Sequence, residues 1–423
     1  DPTLLPFNED QRLIFDQVMH AIQAPTNRAA PYNNIFFVDG PGGTGKTFLF
    51  NALLDAVRRT GEIALAVASS GAAAILLKGG RTAHSRFHIP LRTTPTSYCL
   101  FRGQDPTAHL IRAAKIVIWD EASMISRNLV NTVDLSLRDT MLGSDDPELA
   151  NVPFGGKIVI FGGDFRQVLP IVPRGSRTDI VEQCLNQWPL WQHVQQHSLQ
   201  VNMRVMQAQN NGDNETAGPL QDFSRYLLNV GNGVIPTVNQ TEYIHIPNNL
   251  VIRDGEFSDL ASFVYNSFSE ESDRTAESLG SKAILAPTNV KVNEINDYLL
   301  ARFSNENEVV YSSIDSIDED DQALLFPVEF LNSINPSSLP PSRLCLKVGV
   351  IVMLLRNLAP SQGLCNGTRL ICTELRPNVI VAMIAAGPRT GSTVMIPRID
   401  LTSDEERVGV EFKRRQFPIR LAF

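Results

Sequence analysis

Through the first half of the chain, short unbroken apolar runs alternate with stretches whose apolar residues recur at helical spacing. Ile35-Phe36-Phe37-Val38, Ile63 to Ala68, Ala114 to Trp119 and Lys157 to Phe161 read as buried strands. Between them, Ile14, Phe15, Val18 and Ile22 mark a helix opened by Asn8, and Phe48 to Arg59 marks another closed by Gly61. Ser69-Ser70-Gly71-Ala72-Ala73-Ala74 is a small-residue turn leading into a helix. Strands alternating with helices predict an α/β fold with a parallel sheet wound on both faces, whose ligands lie at the carboxyl ends of the strands.

The same strand-loop-helix order returns at Lys282 to Asn289 and in the helix marked by Val292, Ile295, Leu299 and Leu300, which predicts a second sheet. From Cys345 onward, short apolar runs at Val350 to Leu355, Thr368 to Leu375, Val379 to Ile384 and Thr393 to Ile396 predict a small β unit. Phe87 to Gln104, with Pro90 and Pro95, reads as an irregular insertion able to act as a wedge, and Trp188 to Trp191 as core packing before a new unit. Gln209 to Ala217 reads as a flexible loop, Asp315 to Asp321 as a solvated acidic loop without calcium-loop spacing, and Pro336 to Pro341 as a stiff linker.

Length and composition narrow the class. At 423 residues the chain has room for about three domains. Its 43% hydrophobic and 19% charged residues are ordinary for a globular protein, and no apolar run reaches the roughly 18 residues of a membrane helix, so no membrane partner is expected. Cys99, Cys184, Cys345, Cys365 and Cys372 show neither a disulfide framework nor Cys-x-x-Cys spacing, which fits a reducing compartment. The formal net charge is −8, so a polyanion would have to be held by a local basic groove. The start at Asp1-Pro2-Thr3 shows no signal sequence and resembles a cut boundary.

The chemistry centres on Gly40-Pro41-Gly42-Gly43-Thr44-Gly45-Lys46-Thr47, directly after the first strand. Glycines at this spacing turn successive backbone N–H groups inward, and the following helix offers its positive end to a triphosphate. Lys46 would reach the β- and γ-phosphates and the Thr47 hydroxyl would bind Mg. Gly40, Gly42 and Gly45 also satisfy a dinucleotide fingerprint, but that fold needs an acid at the far end of the next strand, about 20 residues on. Glu62 precedes its strand instead.

Asp120-Glu121, at the end of an apolar strand, suits metal binding by the first acid and polarisation of water by the second. Gln167, in Gly163-Asp164-Phe165-Arg166-Gln167, would orient water or sense the γ-phosphate, while Asp164 and Arg166 read as a solvated pair of a turn. Arg204, in Asn202-Met203-Arg204, is either a surface arginine or an arginine finger crossing a cleft. Gln11 stands where a capping-box glutamine would bond back to Asn8, and also where a helicase-type motif would read adenine. Ser70, Gly71, Thr82 and His84 lie in two polar loops able to touch nucleic-acid phosphates or sugars. Thr288 and Asn289 are either an ordinary helix cap or a third such contact. His84 and His88 are four apart, but Ser85 stands where a metalloprotease needs Glu, so no metal site is read there.

Taken in order, GPGGTGKT, VASSGAAA, GRTAHS, WDEASM, FGGDFRQVLP, NMR, APTN and NGT resemble the petite-integration-frequency family of DNA helicases. Phe330-Leu331-Asn332-Ser333 and Lys413-Arg414-Arg415-Gln416-Phe417-Pro418 look closest to the version encoded by Helitron-type transposons. The resemblance implies two recombinase-like P-loop motor domains with parallel sheets, a wedge insertion and an SH3-like β unit. It places the first motor domain at 1–196 with the wedge about 87–110, and the second at 197–300. The inserted loop and β unit follow at 301–410, with motor-domain strands near 345–356 and a return at 411–423.

It further implies ATP and Mg as cofactors, gripped between two halves, single-stranded DNA and duplex junctions as partners, a monomer, and five-prime to three-prime translocation. Carried over by position, Gln11 would contact adenine, and Gly40, Gly42, Gly43, Thr44, Gly45, Lys46 and Thr47 the nucleotide. Thr47 and Asp120 would hold Mg, Glu121 would be the base, and Gln167 and Arg204 would sense the γ-phosphate. Ser70, Gly71, Thr82, His84, Thr288 and Asn289 would lie near DNA. The family continues past Leu421-Ala422-Phe423 into motifs supplying a second arginine, which these 423 residues do not contain. A truncated ATP- and strand-binding module, and a P-loop enzyme acting on a small molecule, are the rival readings. A nuclear location is expected, with mitochondria the alternative.

Overall fold

In a computed structural model of the chain, the apolar runs of the first half assemble into one sheet. Its strands are β1 (Ile35–Asp39), β2 (Ile63–Ala68), β3 (Arg81–Thr82), β4 (Ala114–Asp120), β5 (Ile158–Gly163) and β6 (Gln195–Ser198). They lie in the order β3-β2-β4-β5-β1-β6, and every neighbouring pair is parallel. The structure describes residues 6–24, 33–210, 214–252, 255–265, 276–303, 307–317, 326–336, 339–359, 362–387, 389–403 and 410–423. By its contacts the chain divides into two compact units, Asp1–His245 and Ile246–Phe423.

Both faces of the parallel sheet are covered, which is why its inner strands carry no polar alternation. Successive strand residues point to opposite sides. Phe36 and Val38 of β1, Ile116 and Ile118 of β4 and Ile158 and Ile160 of β5 therefore share one core with helices α1 (Glu9–Gln23) and α2 (Lys46–Arg59). Phe37, Val117, Trp119, Val159 and Phe161 face the other way, into a core with Ile111, Val130, Val133 and Leu137. Those last residues belong to helices that follow α3 (Gly71–Ala74) and α4 (Ala83–Phe87): α5 (Pro106–Ala113) and α6 (Arg127–Met141). Trp188 joins this second core, as expected for Trp188 to Trp191.

The stretch after α4 is irregular as predicted, yet it is anchored. Ile89 and Cys99 are buried, the Cys99 N–H donates to Ser136 Oγ at 2.8 Å, and Asn131 Nδ2 donates to the Pro95 carbonyl at 2.8 Å. Leu91 and Leu100 on the same stretch are 91% and 72% exposed, so it turns apolar side chains to solvent from a fixed base.

Past α7 (Arg177–Gln183) and β6, the first unit continues through α8 (Met203–Asn210) and α9 (Asn214–Gly231). Residues 197–245, which the sequence reading places in a second motor domain, cluster with the first. The predicted flexible loop at 209–217 lies partly outside the described residues, and its described ends are helical.

The second unit holds the α/β character, but its described residues form no second parallel sheet. Besides α10 (Phe257–Val264), α11 (Ala276–Gly280) and α12 (Asn289–Arg302), it contains β7 (Val309–Ser312), β8 (Ile314–Ser316), β9 (Arg343–Leu346) and β10 (Ile351–Leu354). Then follow β11 (Arg369–Leu375), β12 (Val379–Ile384), β13 (Thr393–Pro397), β14 (Ile399–Thr402), β15 (Lys413–Gln416) and β16 (Ile419–Leu421). All of its described ladders are antiparallel: β13-β12-β11-β10-β16, β14-β15-β8 and β7-β9.

The expected strand at Lys282 to Ala286 does not form. Ile284 donates one backbone bond to Phe423, and the Arg369 guanidinium takes the carbonyls of Gly280, Lys282 and Ala422, so a side chain occupies the acceptor at the head of the segment. The acidic run 315–321 lies partly outside the described residues, but Asp315 is no solvated acid. It sits on β8 and forms a fully buried ion pair at 2.6 Å with Arg414 of β15. Arg414 also donates to the carbonyls of Leu331 and Pro340. The linker 336–341 likewise lies partly outside the described residues. Among the described residues, no helix is long and apolar enough to cross a membrane.

Candidate nucleotide site

Strand order explains how motifs far apart in the chain meet. β4, β5 and β1 are neighbours, so the loops after Asp120, Gly163 and Asp39 leave the carboxyl edge of the sheet side by side. The loop after β1 begins with Gly40 N–H donating to the Gly163 carbonyl at 3.2 Å. Thr44 closes it by donating its N–H and hydroxyl to the Pro41 carbonyl. Gly43 and Gly45 have φ of +89° and +82°, the left-handed region where a side chain is strained. Lys46 opens α2 and its ammonium donates to the Gly40 carbonyl.

Gly42 is different: a Cβ there would meet nothing within 4 Å. Gly42→Ala should therefore change stability by no more than about 0.5 kcal/mol. Nucleotide affinity should fall at least about tenfold, because the methyl group enters the space that the phosphates need. Thermal melts paired with a fluorescent-nucleotide titration check both halves, and unchanged affinity would remove this loop from phosphate binding.

Gln11 serves as the capping-box residue. Asn8 N–H donates to Gln11 Oε1 at 3.2 Å, and Gln11 N–H donates to Asn8 Oδ1 at 2.8 Å. Its Nε2 donates to the Thr44 carbonyl at 3.1 Å and the residue is only 1% exposed, so the side chain props the phosphate loop from beneath. The second Nε2–H and the second lone pair of Oε1 are left over from these two bonds.

Asp120 is buried at the end of β4, its Oδ1 accepting the Glu121 N–H at 2.9 Å. Burial pushes its carboxyl up to about 6, and the Glu121 charge adds to the rise. The Glu121 N–H hydrogen bond and the Lys46 charge oppose it. Glu121 has φ +53°, a strained conformation for a side-chain-bearing residue. The turn is braced by Ser69, whose N–H donates to the Asp120 carbonyl at 3.2 Å and whose hydroxyl donates to the Glu121 carbonyl at 2.7 Å. The Asp120 carboxylate and the Thr47 hydroxyl, one residue past Lys46 whose charge acts on Asp120, are hard oxygen donors of the kind Mg takes when phosphates complete its shell. Among the described residues no group of three His, Cys, Asp or Glu could hold a metal unaided.

Asp164 and Arg166 are not a solvated pair. Arg166 bridges Asp164 at 2.8 Å and Asp39, the last residue before the phosphate loop, at 3.1 Å, while its Nε donates to Asn232 Oδ1. Burial alone would raise the Asp164 carboxyl. It is outweighed by hydrogen bonds from the Arg166 N–H, the Arg166 guanidinium and Gln167, together with the Arg166 charge, so Asp164 lies below its usual value. Gln167 Nε2 donates to Asp164 Oδ2 at 3.2 Å, which fixes the side chain expected to position water.

Arg204 lies on the same compact unit as the phosphate loop, so it does not reach it from a separately folded half. Met203 N–H donates to the Gly43 carbonyl at 2.9 Å, and a Cβ on Gly43 would stand 3.5 Å from Arg204 Cδ. Asn202 Oδ1 accepts the N–H groups of Arg204 and Val205, capping α8. Asp39, Ser69, Arg166 and Asn202 are the residues that sequence reading missed. The only signal for the first and last was direct adjacency to the motifs.

Of the expected strand contacts, Ser70, Thr82 and Thr288 are helix caps, accepting the N–H groups of Ala73, Ser85 and Lys291. Ser70 and Gly71 follow β2, and Thr82 ends β3 in register with Ala68, so these residues line the same carboxyl edge as Asp120. Burial pushes His84 below the ordinary histidine value, leaving a neutral ring at neutral pH. Thr288 and Asn289 begin α12 in the other unit.

The profile of the PIF1-like helicase family matches residues 6–241, more than half of the chain and every site residue described above except Thr288 and Asn289. The chain belongs to the PIF1-like helicase family. A second profile, the 2B domain of the DNA helicase Pif1, matches residues 329–375 of this PIF1-like chain. The ATP-dependent DNA helicase Pif1 of Bdellovibrio bacteriovorus is 25% identical over 390 residues, 92% of this chain and 73% of that protein. The ATP-dependent DNA helicase PIF1 of Danio rerio is 24% identical over 361 residues, 84% of this chain. The chain spans 46% of the length of that relative. Among solved structures, a Bacteroides Pif1 helicase in complex with ADP-AlF3 and ssDNA superposes with a TM-score of 0.61 at 22% identity. That match covers 99% of this chain and 82% of the other, which establishes the PIF1-like fold.

Proposed function

We propose that the chain is the motor core of an ATP-dependent DNA helicase, stepping five-prime to three-prime along single-stranded DNA and opening duplex junctions. The observation that carries the reading is the convergence, on one phosphate loop, of Asp120 and Glu121 from β4, of Gln167 through Asp164 and Arg166, and of Arg204 through Asn202. In this reading Lys46 and the loop N–H groups bind the phosphates, Glu121 takes a proton from water, Gln167 orients that water, and Arg204 meets charge developing on the γ-phosphate. Mg, when bound through Thr47 and Asp120, would neutralise phosphate charge. The polar residues at the ends of β2 and β3 would touch the DNA backbone, with Ser69 tying that edge to the acids.

The anchored insertion with outward Leu91 and Leu100 suits a wedge at a junction. The Helitron-type subtype rests on the resemblance of the two stretches that suggest it, 330–333 and 413–418. The β strands of the second unit within 301–410, apart from the motor-domain strands near 345–356, are read as the SH3-like element. A nuclear location, with mitochondria as the alternative, accords with five free thiols. Phosphate release by the purified chain with Mg-ATP should rise at least about tenfold on adding single-stranded oligothymidylate. ATP binding without such a rise would make the chain a nucleotide- and strand-binding module instead.

A further inference from the structure

We propose that Arg58, Arg81 and Arg86 form a phosphate-binding site at the open edge of the parallel sheet, and that it takes a backbone phosphate of a nucleic-acid strand. The inference rests on the DNA-motor reading above. β3 is the edge strand, and among the described residues no other strand lies beyond it. Arg81 stands on β3 opposite Val67, exposed, and precedes Thr82. Arg58, in the last turn of α2, is held in place because its guanidinium donates to the carbonyls of Lys78 at 2.8 Å and Ala64 at 2.9 Å.

Two of the guanidinium groups converge on Gly79. A Cβ there would stand 3.5 Å from Arg58 Nη2, and Arg86 Nη2 reaches the Gly79 carbonyl at 3.5 Å. Arg86 Nε is buried and has no hydrogen-bond partner. Like charges gathered in this way, one with an unsatisfied buried donor, cost free energy that an anion between them would recover. The cost is visible on Arg86, which burial, then Arg81, then Arg58 push below the ordinary arginine value. Asp55 offsets part of it, since its charge favours Arg58, but its carboxylate is bonded to Lys78 and does not act on Arg86.

A planar guanidinium presents paired donors that match phosphate oxygens. In a chain of net charge −8, a spot where three arginines and Lys78 face the single carboxylate of Asp55 is what a polyanion would find. The ligand chemistry is therefore a phosphate, and the nearby residues Thr82 and His84 favour one borne on a strand.

The test titrates fluorescent single-stranded oligothymidylate into the full chain across a range of salt, for the parent, R81Q/R86Q and R86K. The double variant should bind about tenfold more weakly near 0.1 M salt, and its slope of log affinity on log salt should flatten by about 0.7 for each phosphate that is no longer neutralised. R86K, which keeps the charge, should retain most of the slope. An unchanged slope in a folded R81Q/R86Q variant overturns the proposal. Should the double variant fail to fold, R81Q alone, altering an exposed side chain, carries the same comparison. If inorganic phosphate raises the melting temperature of the parent but not of R81Q/R86Q while the slopes agree, the site takes free phosphate and the assignment to a strand is wrong. Failure of the parent to bind any strand would defeat the DNA-motor reading itself, and this site with it.

Discussion

Replacing Arg204 with alanine should leave ATP binding within a few-fold of the parent and cut turnover by about 10³-fold or more, the range measured for arginine fingers in phosphoryl transfer. The fold has little stake in the guanidinium. Arg204 is exposed, and the contacts that fix this turn come from its neighbours: Asn202 accepts its backbone N–H, which alanine keeps, and Met203 bonds to Gly43. What the guanidinium can reach is the loop at Gly43. Fluorescent-nucleotide binding and phosphate release at saturating ATP separate the two effects. Arg204→Lys should recover only part of the rate, since a point charge lacks the planar fork that engages two phosphate oxygens at once. Parent-like turnover in the alanine variant would remove Arg204 from the chemistry.

Arg204 also shows where a sequence stops being readable. The triad Asn202-Met203-Arg204 identifies the residue but not the body to which it belongs. The structure places it with the phosphate loop because β6, just upstream, pairs in parallel with β1. The inner part of the first sheet was legible for a simple reason: β1, β2, β4 and β5 are apolar on both faces, whereas β3 (Arg81–Thr82) and β6 (Gln195–Ser198) at its two edges are polar and carry no such signal.

In the second unit that grammar misleads. Lys282 to Leu300 has the look of a strand, loop and helix, yet the Lys282 carbonyl at the head of the strand-like segment is taken by Arg369, 87 residues away. No periodicity reports a bond of that kind. Lys413-Arg414-Arg415 looks like a solvated basic run, but in β15 alternate residues face opposite sides, which puts Arg414 inside against Asp315. Asp164 and Arg166 misled in the same direction. Charged pairs look alike in sequence whether water or protein surrounds them, and their partners Asp39 and Asn232 are distant in the chain.

Glu121 offers the sharpest separation of function from stability. Its φ of +53° is a conformation that costs a side-chain-bearing residue about 1–2 kcal/mol and glycine almost nothing. On the proposed reading, a residue held there against that cost, at the end of a buried strand and with its carbonyl clamped by Ser69, would be placed for chemistry rather than for folding. Glu121→Gln keeps the shape and removes the base, so ATP binding should persist while turnover falls by about 10²–10⁴-fold. Glu121→Gly should lose turnover to the same extent. It should also melt no lower than the parent and up to a few degrees higher, because relief of the strain of about 1–2 kcal/mol exceeds the roughly 0.5–1 kcal/mol that glycine adds to the entropy of the unfolded chain. Melting curves and phosphate release on the same three samples decide the matter. If Glu121→Gly melts well below the parent, the strained turn is structural. If Glu121→Gln turns over normally, the base is another group and the strain at this position has some other use.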